Sequence, residues 1–590
     1  MTSASIVNEL IALAVPCGRC AVTISRPVDA DHRSAIGVVV VPPLGIERNG
    51  CDRLLRALAE QLSTDGHTVM IVDPVGTGDS SDLSDDVSIA ASFEQGVRAG
   101  VASLREHCDR VLAIGIRFGA LTLATAFADD PLLGTRIDAA LLWSPISRGA
   151  SYRRELIMLG SSTDEGLADG WAAPAGSVLR PLDLASIGEL DLRRVPAPSR
   201  HLFVLEDEHH RLPAEVLAAW APMAAIRIDA SAGIDTAVLE DPERGTVCSS
   251  TLQTIAAWVN DQPTRAARAV RTETVGAELI RDTRWSEEPV AVVMSDGHVL
   301  HGVRTSHCGS PSSAGLVLLS TGTNPRFGPA RLHTSLARSL ASEGFSVLRI
   351  ERRGGGTSAG ELDAYDPLHI ADVLDIDKAA ANILGTSTVV VAGMCSGAWA
   401  AWHATLEGMG AERVILINQV IFGDDSWDLS EGSPAIAVKT RQSLGSIARW
   451  KALFQGEINV ARSARRLLQY ASMTARSHLG HSGAMTEEFA TLVRRETSVT
   501  FIFDSEETGL HYLEMHAAND IERLKVSKQI RVVTVERAGH VFAPPAQSRW
   551  LHAAMLGEMR DVAESKGLAL GRGVGGVGGV PQTNPIGQSG

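Results

Sequence analysis

No stretch of the 590 residues gathers lysine and arginine into a basic stripe, and the formal charge is −15. Phosphate neutralisation needs such clustering, so no nucleic-acid partner is expected. Long apolar runs are missing too. The run from Ile6 to Val15 is short, carries Glu9 and has no Lys or Arg before Arg19, which suits neither a bilayer span nor a signal peptide. Membrane insertion is therefore not expected, and a cytoplasmic location is. The seven cysteines (Cys17, Cys20, Cys51, Cys108, Cys248, Cys308 and Cys395) are odd in number and scattered, unlike a disulfide framework. Cys17 and Cys20 form a CxxC with no second pair nearby, read as free thiols. Neither GTGDS nor GGGTS is followed by the Lys of a phosphate-binding loop. No metal or cofactor is expected.

What is present is an ordinary globular composition, 45% apolar and 21% charged, in a chain too long for a single core. The chain also repeats itself. RLLRALAEQLSTDGHTVMIVD (53–73) matches RLHTSLARSLASEGFSVLRIE (331–351) without a gap: an amphipathic helix, a glycine at its end, then a strand. Gly66 pairs with Gly344, Gly76 with Gly354, Gly78 with Gly356 and Ser80 with Ser358, each 278 residues on. The register continues to GIRFG (115–119) against GMCSG (393–397). Strands alternating with helices imply parallel sheets flanked by helices, an α/β fold present twice. The expected organisation is a first domain over 1–262, a polar linker over 263–288, and a second domain over 289–563. The second domain opens with an antiparallel hairpin around Asp296-Gly297 and carries a helical cap over about 423–497. The Gly-rich tail 564–590 cannot offset the entropy of a packed fold and is expected to be disordered.

Gly393-Met394-Cys395-Ser396-Gly397 is a G-x-C-x-G motif between a strand and an Ala-rich helix, the setting of a nucleophile elbow. The glycines permit the tight turn, and a helix N-terminus favours a thiolate. A thiol nucleophile needs a base, and His540 follows the last strand. An orienting acid should follow the preceding strand, where Asp504, Glu506 and Glu507 cluster. Glu507, nearest the Gly509 turn, is favoured, with Asp504 as the alternative. The oxyanion donors expected are the backbone N–H of Ser396 and one near Gly322 or Thr323. Together these features read as two tandem α/β-hydrolase folds.

The blocks NPRFGPARLHTSLARSLASEGFSVLRIERRGGGTSAGE, GMCSGA, DSEETGLHYLE and GHVFAP resemble the α/β-hydrolases associated with exosortase systems, over most of 315–545. The resemblance puts that family's Cys, acid and His on Cys395, Glu507 and His540. The first domain resembles the companion hydrolase of those systems through GHTVMIVDPVGTGDSSD and SPISRGASYRREL. A more distant likeness is to dienelactone hydrolases.

The first domain departs from this chemistry. Arg117 stands where the nucleophile belongs, and a guanidinium neither attacks a carbonyl nor loses its proton at neutral pH. Its last loop, LEDPERGTVC, lacks histidine. His209 and His210 sit in the acid loop and read as surface or cap contacts. The first domain is expected to be non-catalytic. In the cap, Trp427, Arg449 and Trp450 could line a pocket, although ordinary helix surface is the default for them.

The function expected is that of an esterase, thioesterase or acyltransferase. It would act on a small-molecule or carrier-linked acyl substrate through an acyl-enzyme on Cys395. A scaffold or binding module built from two pseudoenzymes is the rival reading. A processing enzyme acting on a peptide, such as its own C-terminal tail, is a third. The halves could pack with pseudo-two-fold symmetry, an intrachain pseudo-dimer.

Overall fold

The computed structural model describes residues 6–29, 33–129, 137–161, 167–231, 247–263, 278–309, 314–322, 324–360, 364–422 and 484–568. Trp427, Arg449, Trp450, Thr323, most of the expected cap and the tail from 569 lie outside the described residues.

The first half builds one sheet from β1 (Ile6–Val15), β2 (Gly18–Pro27), β3 (Ile36–Val41), β4 (Thr68–Asp73), β5 (Arg110–Ile116), β6 (Ala139–Trp143), β7 (His201–Glu206) and β8 (Ala225–Ala230). Its order is β1-β2-β4-β3-β5-β6-β7-β8. The β1–β2 hairpin is antiparallel and everything from β4 to β8 is parallel. Ile6–Val15, met in the sequence only as a short apolar run, is thus an edge strand. It pairs along its whole length with Gly18–Pro27, and Cys17 in the turn and Cys20 in β2 are free thiols.

The second half builds its sheet from β9 (Ile280–Arg281), β10 (Trp285–Val293), β11 (Val299–His307), β12 (Ala314–Leu319), β13 (Ser346–Ile350), β14 (Thr388–Met394), β15 (Arg413–Ile417), β16 (Ser498–Asp504) and β17 (Ile530–Val535). Read from the β9 edge, the order is β9-β10-β11-β13-β12-β14-β15-β16-β17, the same as in the first half with one short strand added. The fold class is as expected: mixed α/β, with helices on both faces of two mostly parallel sheets. The central strands β3, β12 and β13 are buried at every position, as a sheet covered on both sides requires. Each half has two apolar clusters, one on either face of its sheet.

The hairpin expected at 289 begins earlier, at Trp285, with β9 before it, so the end of the expected linker belongs to the sheet. The misreading has a physical cause. Glu287 makes the segment look solvated, yet it is fully buried and paired with Arg338 at 2.7 Å and Arg349 at 2.8 Å.

The halves touch closely. Leu279, Ile280, Trp285, Val303 and Ala341 of the second pack with Ala12 and Ala21 of the first. Beside that apolar seam, Arg326, Arg338 and Arg349 close on the first half's Gly78–Asp82 loop. Arg326 Nε is 2.7 Å from Asp79 Oδ2, Arg349 also pairs with Asp79, and Arg338 Nη1 reaches Asp82 at 2.9 Å. From the other side, Asp52 accepts the Gly356 N–H at 2.9 Å, while Arg331 donates to the Gly78 carbonyl at 3.0 Å. Gly78 and Gly356 are equivalents in the repeat, so each half's glycine turn is held by the other.

Candidate active site

Cys395 sits between β14 and the helix Ser396–Glu407 with φ 54° and ψ −118°, a strained conformation for any side chain other than glycine. The flanking glycines make that turn possible. A Cβ on Gly393 would come within 2.3 Å of the Gly397 backbone, and one on Gly397 within 2.7 Å of the Ser320 carbonyl. Cys395 N–H donates to Ile417 O at 2.9 Å, fixing the turn to β15.

His540 lies in the loop after β17, with its ring about 40% exposed at the mouth of the site. Its Nδ1 is 2.9 Å from Glu507 Oε2. Burial would lower its proton affinity, but hydrogen bonds to Cys395 and Glu507 outweigh it and push the pKa up to about 11. Asp504, the alternative acid, has different neighbours. Its Oδ2 accepts the N–H groups of Ala538 and Gly539, and its Oδ1 accepts that of Glu506. Asn418, buried at φ 44°, donates to the His540 carbonyl at 2.7 Å and accepts the Asp504 N–H at 2.8 Å. Asp504 and Asn418 therefore hold the histidine loop, and Glu507 holds the imidazole.

Among the expected oxyanion donors, the Ser396 N–H opens its helix, where no preceding carbonyl competes for it. The Gly322 N–H, the other expected donor, has a partner within the protein. It donates to Ser396 Oγ at 3.0 Å, because the buried hydroxyl beside the elbow is the nearer acceptor. Thr323 lies outside the described residues.

Two residues that sequence reasoning missed complete the surroundings. Tyr365 Oη is 3.7 Å from Cys395 Sγ, its ring edge-on to Trp399. Arg352 donates to Ser396 Oγ at 2.9 Å, Gly322 O at 2.6 Å and Ala364 O at 2.8 Å. It thus ties the elbow, the expected oxyanion loop and the Tyr365 segment together. Tyr365 lies in no motif, and Arg352, although inside the block 324–361, is marked there by no catalytic spacing. Only the topology brings the loop after β13 over β14.

The first half keeps the elbow without its nucleophile. Arg117 has φ 55°, and its N–H donates to Trp143 O as Cys395 N–H does to Ile417 O. Its side chain is buried. Nη2 lies 2.8 Å from Glu47 Oε1 and 3.7 Å from Glu155. Burial would discharge both partners of this pair. Arg117 is nonetheless driven above its ordinary range by Glu47, while Glu47 itself is raised because burial outweighs the pull of Arg117. The reading of His210 as a surface or cap contact is corrected here. His210 Nε2 touches Arg117 Nη1, and its Nδ1 is 2.9 Å from Asp207 Oδ1. His210 stands where Glu507 stands in the second half, and Asp207 where Asp504 does. The position that orients a histidine in one half supplies one in the other. His209 is exposed.

Among the described residues no group of three His, Cys, Asp or Glu is placed to hold a metal ion, and no helix is long and apolar enough to cross a membrane.

No curated protein matches the sequence. Among solved structures, the chain is similar to the Pyrococcus furiosus esterase Pf2001, with 14% identity and a TM-score of 0.30 over 47% of this chain and 92% of that one. It is also similar to Est1E of Butyrivibrio proteoclasticus, a structure with bound ferulic acid, with 15% identity and a TM-score of 0.33 over 42% and 96%. A third is a dienelactone hydrolase of Anabaena variabilis, with 12% identity and a TM-score of 0.30 over 46% and 96%. Residues 307–554 match the model of the alpha/beta hydrolase family. The chain thus carries an alpha/beta hydrolase family domain, which contains Cys395, Glu507 and His540.

Proposed function

We propose that the second half is an acyl hydrolase or acyltransferase working through a thioester on Cys395. The observation that carries this reading is the strained elbow that presents Cys395 beside His540, whose Nδ1 is 2.9 Å from Glu507 Oε2. That is the arrangement of nucleophile, base and orienting acid. His540, whose proton affinity is raised beside the thiol, takes the proton of Cys395. The Cys395 thiolate attacks the carbonyl carbon of an ester, thioester or lactone, and the carbonyl π pair moves onto oxygen. The Ser396 N–H at the helix start stabilises that oxyanion. On collapse, the leaving alkoxide or thiolate takes the proton from His540. His540 then removes a proton from water or an acceptor nucleophile, which attacks the thioester and frees Cys395.

The first half takes no part in the chemistry under this reading, since Arg117 is no nucleophile. The resemblance to exosortase-associated hydrolases is consistent with it and names no substrate.

Intact-mass spectrometry with a short activated acyl thioester tests the proposal. Wild type should gain one acyl group transiently, Cys395→Ala none, and His540→Ala the same adduct more slowly. An unmodified wild type whose Cys395 alkylates no faster than an ordinary thiol would leave the scaffold reading standing instead.

A further inference from the structure

The loop after the first parallel strand carries the oxyanion site of an α/β-hydrolase elbow. Here the chain has two such loops, 44–50 after β3 and 320–328 after β12, and they abut. Asn49 Nδ2 donates to Asn324 Oδ1 at 2.8 Å and to the Gly328 carbonyl at 3.1 Å. The Arg48 guanidinium lies 5.2 Å from the centre of the Phe327 ring. Arg48 and Arg326 are equivalents 278 residues apart. Each binds the acid at the end of the following strand: Arg48 holds Asp73 at 2.8 Å, and Arg326 holds Glu351. Arg326 is gripped as well by Asp79 of the first half at 2.7 Å.

The outer end of the 320–328 loop is therefore fastened to the first half. Its inner end, Gly322, is fastened to the elbow through Ser396 and Arg352. The fastening has an anchor. Asn49 belongs to the short helical turn Ile46–Gly50, and Glu47 of that turn is buried and bound by Arg117. A serine or cysteine at 117 would leave the Glu47 carboxylate without a counter-charge in the interior, at a cost that would open the turn.

Resting on the acyl-transfer reading above, we infer that the first half is a built-in brace for the oxyanion loop of the second. Asn49 is its contact residue, and Arg117, at the vacated nucleophile position, is the anchor that keeps Asn49 in place. Both are positioning residues: neither touches the reacting atoms. The nucleophile position was given to a new task.

The test compares full-length wild type with Asn49→Ala and Asn49→Asp, neither of which can donate to the two acceptors. It uses 4-nitrophenyl acetate turnover, iodoacetamide alkylation of Cys395, and amide hydrogen exchange. In both variants kcat should fall about tenfold, with KM and the alkylation rate within about twofold of wild type, since a loosened oxyanion loop weakens transition-state binding and spares the thiol. Exchange should quicken in peptides spanning 320–328 and stay unchanged in those spanning 396–407. Unchanged kcat and unchanged exchange would overturn the brace. So would equal losses of kcat and alkylation, which mean general damage. If wild type itself forms no acyl adduct, the acyl-transfer reading fails, and exchange at 320–328 then decides the brace alone. Finally, Glu47→Gln combined with Arg117→Gln removes the buried charges together. It should quicken the same peptides, and if it does not, Arg117 is struck from the brace.

Discussion

Glu507 Oε2 lies 2.9 Å from His540 Nδ1, while Asp504, three residues earlier, spends its two oxygens on backbone N–H groups of the loops around it. The two acids should therefore fail differently. Glu507→Gln should cut acylation by about a hundredfold or more, because it mis-orients the imidazole, and cost less stability than the change at Asp504. Asp504→Asn should destabilise the fold by about 1–3 kcal/mol by turning an amide toward buried donors. Paired thermal melts and single-turnover acylation separate the roles, and a Glu507→Gln enzyme of full activity would remove Glu507 from the site.

The proton on His540 gives the site a pH signature. Its folded value, about 11, lies above the ordinary 6.5 of a free histidine. The stability it contributes is fully present below about pH 6.5 and is lost as pH rises through about 11. The melting-temperature gap between wild type and His540→Ala should narrow from pH 7 to pH 10.5. Alkylation of Cys395 at pH 7 should be faster in wild type than in His540→Ala, which lacks the base. Equal alkylation rates for the two proteins would contradict a base at His540.

Tyr365 offers a hydroxyl 3.7 Å from Cys395 Sγ. Tyr365→Phe keeps the ring against Trp399 and removes one donor, so acylation should slow by about tenfold with no loss of thermal stability. Equal rates for the two proteins would make the tyrosine a wall of the site and nothing more.

Asp79 is nearly fully enclosed between Arg326 and Arg349. Burial would raise its pKa, but the arginines overcome this and hold it well below the carboxylate range. Its stabilising contribution is therefore present at neutral pH and lost as pH falls through and below that range. Asp79→Ala strands two guanidinium groups at the seam between the halves and should cost about 3–5 kcal/mol in urea unfolding at pH 7. A loss under about 1 kcal/mol would mean that water reaches the arginines.

The parts legible in the sequence were those fixed by local rules. The glycine pattern and the 278-residue offset located both elbows, and β5 and β14 begin and end in that register. Cys395 and His540 were found because motif and chain order point to them. What escaped depended on three-dimensional neighbours. Glu287 looked like linker because a charge read alone is a surface residue, and only its arginines make it interior. His210 was missed because chain order assigns the histidine to the last loop, whereas here a side chain three residues from its acid reaches the elbow directly. Tyr365 and Asn49 carry no spacing signal at all, and Arg352, although inside a resembling block, has none that marks its role.

The constant offset also has a limit that bears on how this chain could change. It holds from β3 and β12 through the helices that follow the elbows, shortens to 274 at β6 and β15, and widens to 297 at β7 and β16. Most of the polar contacts across the seam fall inside the constant stretch. Any insertion there would shift a turn that the opposite half grips, so both copies have had to keep one length. Beyond the elbow helices each copy has been free to change length, with 57 residues between β6 and β7 and 80 between β15 and β16.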